Sequence, residues 1–115
     1  MADKFTKKEF IDRALWSLNE IGDPTTDRYA AAILLSRLQT KCLAPGASFV
    51  VTQSAGGAGL SKSRIRTITV AYSGHDYPAL AVGDDYCEAV CLAARTLPEF
   101  LRNYPECAAM ATKEI

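Results

Sequence analysis

The chain has 115 residues and a mass of 12.5 kDa, which leaves room for one domain with one core. Apolar residues make up 49% and charged residues 23%, which excludes the disordered and collagen-like classes. Thirteen basic and thirteen acidic side chains cancel, so a general electrostatic attraction to nucleic acid or to a membrane surface is not expected.

Two helices are predicted in the N-terminal part of the chain. Thr6, with Glu9 three residues later, has the pattern of a capping box, and apolar residues at helical spacing follow until a glycine stops them. The first helix is therefore predicted over Lys7–Ile21. The proline within Asp23–Asp27 ends it, and one of the two threonines there is expected to cap a second helix that extends to about Lys41.

Three strands are predicted next. β-branched and aromatic residues predict a short strand at Phe49–Thr52 and a long one at Arg64–Tyr72, with a Gly- and Ser-rich loop over Ser54–Ser63 between them. A third strand is expected at Tyr77–Val82, and Pro78 places it at a sheet edge.

A long helix follows the strands. Asp85 and Glu88 have the capping-box pattern, with Asp84 as the alternative cap. Pro98 is expected to end or kink this helix, after which Glu99–Asn103 adds one more turn.

The predicted order α-α-β-β-β-α indicates an α+β fold. A three-stranded antiparallel meander is too small to stand alone, so we expect it to be sandwiched between helices as α/β/α layers. The predicted divisions of this single domain (1–115) are an extra N-terminal helix at 1–22, a sandwich core at 23–97 and a C-terminal extension at 98–115.

Two segments resemble a known family. The helix starts Thr25–Ala32 and Asp85–Ala94 are similar to those of the bacteriophage ABA sandwich domain family, and the resemblance covers roughly Asp23 to Leu97. It implies an α/β/α layered fold, a phage or prophage origin and a location in the cytoplasm of the bacterial host. It brings no chemistry with it, so no functional residue is carried over.

The sequence contains one electropositive zone. Residues 49–78 hold three basic side chains and one acidic side chain, and on an extended chain Lys62, Arg64 and Arg66 point the same way. Together with the amide groups of the glycine loop, they would hold a phosphate, and aromatic residues farther along would stack on a base. The candidate ligand-binding residues are Gly56, Gly57, Gly59, Lys62, Arg64, Arg66, Tyr72, His75 and Tyr77. The alternative interpretation is a solvated strand end that discourages edge pairing, beside a simple turn.

Catalysis, cofactors and metal binding are not expected. His75 lies in a turn without a separate carboxylate to orient it, the serines lack a nucleophile-elbow context, and the glycines do not form a P-loop. The cysteines lack zinc-site spacing and are expected to be free thiols that pack as small hydrophobic groups in a cytosolic protein. They are Cys42, Cys87, Cys91 and Cys107.

Two hypotheses about function follow. The first is a non-catalytic phage accessory protein that binds a small phosphorylated ligand, as an anti-defence sponge for a nucleotide signal of the host's immunity. The second is a protein-interaction module that docks on a host or phage protein through helix one and the C-terminal tail. Trp16 is expected to be half-buried or to contact a second subunit, so a homo-oligomer is left open. Direct nucleic-acid binding is disfavoured by the zero net charge.

Overall fold

The computed structural model describes residues 5–17, 19–55 and 64–109, with the backbone alone at positions 54, 55 and 64. These ranges contain three α-helices and an antiparallel sheet of four strands. The elements are α1 (Lys7–Asp12), α2 (Arg28–Cys42), β1 (Ser48–Ala55), β2 (Arg64–Tyr72), β3 (His75–Asp76), β4 (Ala81–Gly83) and α3 (Tyr86–Asn103), followed by a 3₁₀ turn at Pro105–Cys107. The predicted α+β class and the order of helices and strands are confirmed.

The sheet is built around β2. All residues of β1 pair antiparallel with β2, and the short strands β3 and β4 pair with the other edge of β2. The predicted third strand at Tyr77–Val82 is thus wrong in its bounds, because two short strands flank an irregular segment that contains Pro78. Proline has no N–H to give to the ladder, so the pairing resumes only at Ala81.

One face of the sheet carries the core. Ile68 and Val70 of β2 are fully buried on this face, where α3 packs against β2 and β4 and α2 packs beside α3. The other face is open: Val50 is 40% exposed and Val82 is 52% exposed, and no helix of the described chain covers them. The expected sandwich is therefore only half present, since the described helices lie on one side of the sheet.

The first helix is shorter than the predicted Lys7–Ile21. Ala14 adopts a left-handed conformation with φ of 59°, and the Leu15 amide donates to the Phe10 carbonyl at 2.8 Å. The Ala14 amide donates to the carbonyl of Ile11 at 3.0 Å, so the two bonds form a Schellman motif that ends α1 at Asp12. The chain reverses direction at this motif, and Leu15 and Trp16 are buried in the core as a result.

The two long helices begin at aspartates. Asp27 caps α2 by accepting from the Tyr29 amide at 2.9 Å, so the prediction of a threonine cap is wrong. Asp85 caps α3 and accepts from the Glu88 amide at 2.8 Å, as predicted.

Pro98 lies inside α3. Of the two predicted effects, an end or a kink of the helix, the end is wrong, because α3 continues to Asn103. A proline leaves the carbonyl four residues earlier without its helical donor, and here that acceptor is Ala94 O. The Arg13 guanidinium donates to this oxygen at 2.8 Å. A side chain from the N-terminal region therefore completes the hydrogen bonding of α3 and allows it to continue to Asn103.

Candidate functional site

Arg66 occupies the end of β2 that lies nearest to the start of α3. It shares the face of Ile68 and Val70, the face that packs against the helices, because side chains alternate along a strand. Its partner in the ladder is Gly83, two residues before the cap Asp85. The alternation seen in the sequence therefore directs Arg66 toward the helix layer.

The close approach of β4 to α3 fixes this arrangement. A Cβ atom placed on Gly83 would lie 2.5 Å from the backbone nitrogen of Ala89 and 2.8 Å from its Cα, which no larger residue tolerates without a backbone shift. The glycine lets the strand contact the first turn of α3 directly. The end of β2 is thereby held beside the start of this helix.

A cavity of about 450 Å³, here called the helix-start cavity, opens where α2 and α3 begin. The residues that line it are Thr25, Thr26, Arg28, Arg66, Asp85, Tyr86 and Cys87. Arg28 and Tyr86 are the first residues of their helices. The positive ends of both helix dipoles lie at this cavity, although the capping carboxylates of Asp27 and Asp85 already accept from amide groups of the first turns.

Two positive side chains and one negative side chain line this cavity. Arg28 is exposed and Arg66 is half-buried, whereas the Asp85 carboxylate already accepts from an amide group of its own helix. Arg66 already has an interaction partner, so an anion would bind beside that partner or replace it. Burial, followed by the charge of Asp85, raises the pKa of the Cys87 thiol, and burial likewise raises the pKa of Tyr86. Both groups stay neutral at pH 7 and add no negative charge.

The other residues predicted at this end of the sheet are described in part or not at all. Gly56, Gly57, Gly59 and Lys62 lie outside the described residues, as does the side chain of Arg64. The pairing of Ala55 with Arg64 shows that the chain leaves and re-enters the sheet at the end where Arg66 lies.

Tyr72 and His75 are far from Arg66. They pair with each other at the opposite end of β2, six residues along the strand, which corresponds to about 20 Å. Tyr72 is half-buried against the core, and His75 is exposed in the short strand β3. The structure does not bring them to the helix-start cavity, so they would belong to a separate site.

Tyr77 belongs to an aromatic cluster rather than to the cavity. Its ring lies edge-on to Tyr104 with centroids 5.1 Å apart and to Phe100 with centroids 6.0 Å apart, and its hydroxyl donates to the Glu106 carboxylate at 3.0 Å. The neighbouring Cys107 thiol, with burial and Glu106, raises the pKa of Tyr77. Both ends of the side chain are thus engaged away from Arg66.

Arg28 is the functional candidate that sequence reasoning missed. It begins α2 and has no pattern relation to Arg66 in the sequence. The two guanidinium groups line one cavity only because α2 and α3 both begin at the end of the sheet where Arg66 lies. The signal that would have found it is a cation in the first turn of a helix, where the dipole disfavours positive charge unless another interaction offsets it.

Trp16 is buried, with 4% of its surface exposed, and the Arg37 guanidinium lies 5.2 Å from its ring centroid. A side chain so enclosed offers little surface for a partner protein. The hypothesis of a protein-interaction module therefore loses Trp16 as a contact residue. The C-terminal tail beyond Ala109 lies outside the described residues.

The four cysteines are free thiols, three of them buried and Cys42 half-buried. Burial raises the pKa of Cys91 to about 12, so this thiol stays protonated. Among the described residues, no three His, Cys, Asp or Glu side chains come together in a group that would hold a metal ion.

No protein-family model, curated protein or solved structure matches the chain. None of the helices in the described ranges combines the length and the apolar character needed to cross a membrane.

Proposed function

We propose that the protein is a non-catalytic binder of a small phosphorylated ligand, which it holds in the helix-start cavity. The observation that carries the proposal is that Arg28 and Arg66, from two different elements, line one cavity at the start of two long helices. Guanidinium groups bind phosphate oxygens in a bidentate manner, and the dipole of a helix start favours negative charge.

The chemistry of the cavity supports binding rather than catalysis. A nucleophilic cysteine needs a lowered pKa, and the pKa of the Cys87 thiol is raised instead. The Thr25 hydroxyl donates to Asp23 at 2.8 Å and is therefore already engaged in the turn before α2. These groups can shape and line a site, but none of them is activated to attack a substrate.

The biological role that we attach to this binding is sequestration of a nucleotide signal of bacterial immunity by a phage protein. This part of the proposal is supported by the resemblance of the two helix starts to the ABA sandwich family.

Calorimetric titration of the intact protein with cyclic dinucleotides, ADP-ribose and inorganic phosphate tests the proposal. At least one phosphorylated compound is expected to bind, and at a concentration of 100 times its Kd it is expected to stabilise the fold by about 2.7 kcal/mol. Arg28→Gln is the decisive variant, because its exposed side chain can be neutralised without disturbing the core. Arg28→Gln is expected to weaken binding about tenfold or more.

Lys8→Gln is the matched control. Lys8 is an exposed cation of α1 whose side chain lines neither cavity. If Lys8→Gln and Arg28→Gln weaken the affinity equally, the ligand responds only to the net charge of the protein and the proposed site is wrong. If no phosphorylated compound binds, the proposal as a whole is overturned.

A further inference from the structure

A second and larger cavity, of about 760 Å³, lies at the other ends of α2 and α3, and we call it the apolar cleft. Its size falls within the range of about 300–1,000 Å³ that is usual for small-molecule sites. The floor consists of four buried leucines from the turn after α1, from α2 and from α3. They are Leu15, Leu38, Leu97 and Leu101.

Three cations stand around this apolar floor, namely Arg13, Lys41 and Arg102, and no acidic residue of the described chain lines the cleft. Arg13 is held by its bond to Ala94 O, and Lys41 Nζ donates to Ala14 O at 3.3 Å. Arg102 is exposed and forms no hydrogen bond or ion pair with another described residue.

Helix dipoles account for part of this charge. Lys41 and Arg102 lie in the last turns of α2 and α3, where a positive side chain stabilises the helix without any ligand. Arg13 is the C-cap of α1, but its guanidinium reaches across to α3 and donates to Ala94 O. The dipoles also do not explain why the three cations surround one apolar hollow without a carboxylate among them.

The thiol in the cleft does not change this balance. Cys42 is half-buried there, and burial raises its pKa although Lys41 and Arg13 oppose that shift. The thiol is therefore neutral at pH 7. The cleft thus combines an apolar floor with a rim of unbalanced positive charge, which is complementary to an apolar body that ends in one negative group.

We propose that the apolar cleft binds a small amphipathic anion of the fatty-acid type, with a straight hydrocarbon tail and a single carboxylate. The tail lies on the four leucines, where removal of its methylene groups from water favours binding. The carboxylate accepts from Arg102 and Lys41 at the rim. This site is separate from the helix-start cavity and does not depend on the function proposed for that cavity.

Three probes with the same tail and different heads test this proposal by calorimetry on the intact protein. Decanoate is expected to bind at least about tenfold more tightly than decanol, because only the carboxylate forms charge-assisted hydrogen bonds. Decylammonium is expected not to bind, since its head repels the rim. Equal binding of all three probes, or no binding of decanoate, would overturn the proposal.

Two variants locate the site. Arg102→Gln is expected to weaken decanoate binding about tenfold or more, whereas the control Lys8→Gln leaves it unchanged. Thermal unfolding of each variant checks that the fold is retained. An unchanged affinity in Arg102→Gln would contradict the proposed head-group contact. Inorganic phosphate, titrated separately, reports on the helix-start cavity, so the two proposals fail independently.

Discussion

Arg13 donates a hydrogen bond to the backbone carbonyl of Ala94, an acceptor 81 positions away that the proline at position 98 leaves without its helical donor. The contact links the end of α1 to the middle of α3. It explains how a helix with an internal proline continues for another five residues after it.

A double-mutant cycle tests this link. Arg13→Ala is expected to lower the free energy of unfolding by about 1.5–3 kcal/mol, because a buried carbonyl loses its charged donor. Pro98→Ala returns an N–H to the helix, so Arg13→Ala is expected to cost clearly less in that background. Urea unfolding of the four proteins gives the coupling. Equal costs of Arg13→Ala in both backgrounds would contradict the role assigned to Arg13.

Ala14 carries a left-handed conformation that costs a non-glycine residue about 1–2 kcal/mol. Ala14→Gly is therefore expected to raise the unfolding free energy by about 0.5–1 kcal/mol, after the larger entropy of glycine in the unfolded chain is subtracted. Ala32→Gly is the matched control, since it places glycine at an exposed position inside α2 and is expected to destabilise. A loss of stability in Ala14→Gly would argue against the Schellman turn.

Gly83 is expected to tolerate no side chain. Gly83→Ala would force a methyl group against the backbone of Ala89 and is expected to cost about 3 kcal/mol or more, the upper end of the overpacking range. Gly74 has a φ of 75° and open space around it, so Gly74→Ala reports backbone strain alone, about 1–2 kcal/mol. Chemical denaturation compares the two, and an equal or smaller cost at position 83 would contradict the close approach of β4 to α3.

Glu9 and Arg95 form a pH-dependent link between α1 and α3. Two hydrogen bonds, at 2.7 and 3.1 Å, join their side chains, and the bond from Arg95 lowers the pKa of Glu9 although burial opposes this. The pKa of Glu9 is lower in the folded protein than in the unfolded chain. The Glu9–Arg95 pair therefore contributes its full stabilisation at pH values above the unfolded pKa, and this stabilisation is lost as the pH falls through the folded pKa. Both side chains are partly exposed, so about 0.5–1 kcal/mol is expected.

Glu9→Gln checks this pH dependence. At pH 7 the variant is expected to be less stable than the parent protein. The difference is expected to shrink as the pH falls below the unfolded pKa of glutamate and to vanish once the pH lies below the lowered folded-state pKa, where the parent carboxyl is protonated. A difference that persists unchanged in acid would show that packing, rather than charge, accounts for the contact.

The parts of the fold that could be predicted are those that depend on neighbouring residues. The Asp85 cap and the run of β2 follow from local patterns, and both are present. The end of α1 could not be predicted, because alanine favours helices and only the burial of Leu15 and Trp16 in the folded core selects the left-handed turn at Ala14.

The same distinction applies to the candidate site. Arg66 was predicted from the alternation along β2, which is a local property. Arg28 could not be predicted, because its proximity to Arg66 depends on where α2 and α3 begin relative to the end of the sheet. The open second face of the sheet was also missed, since the β-branched residues that strands favour give apolar character to exposed faces as well as buried ones.

The most direct test of phosphate binding at the helix-start cavity is a titration of the ¹⁵N-labelled protein with inorganic phosphate and with ADP-ribose, followed by amide chemical shifts. The amides of Arg28, Tyr86 and Cys87 are expected to move together in a saturable way, while those of Tyr72 and His75 stay in place. Shifts confined to the Tyr72 end of β2, or no saturable shift with either compound, would contradict the account.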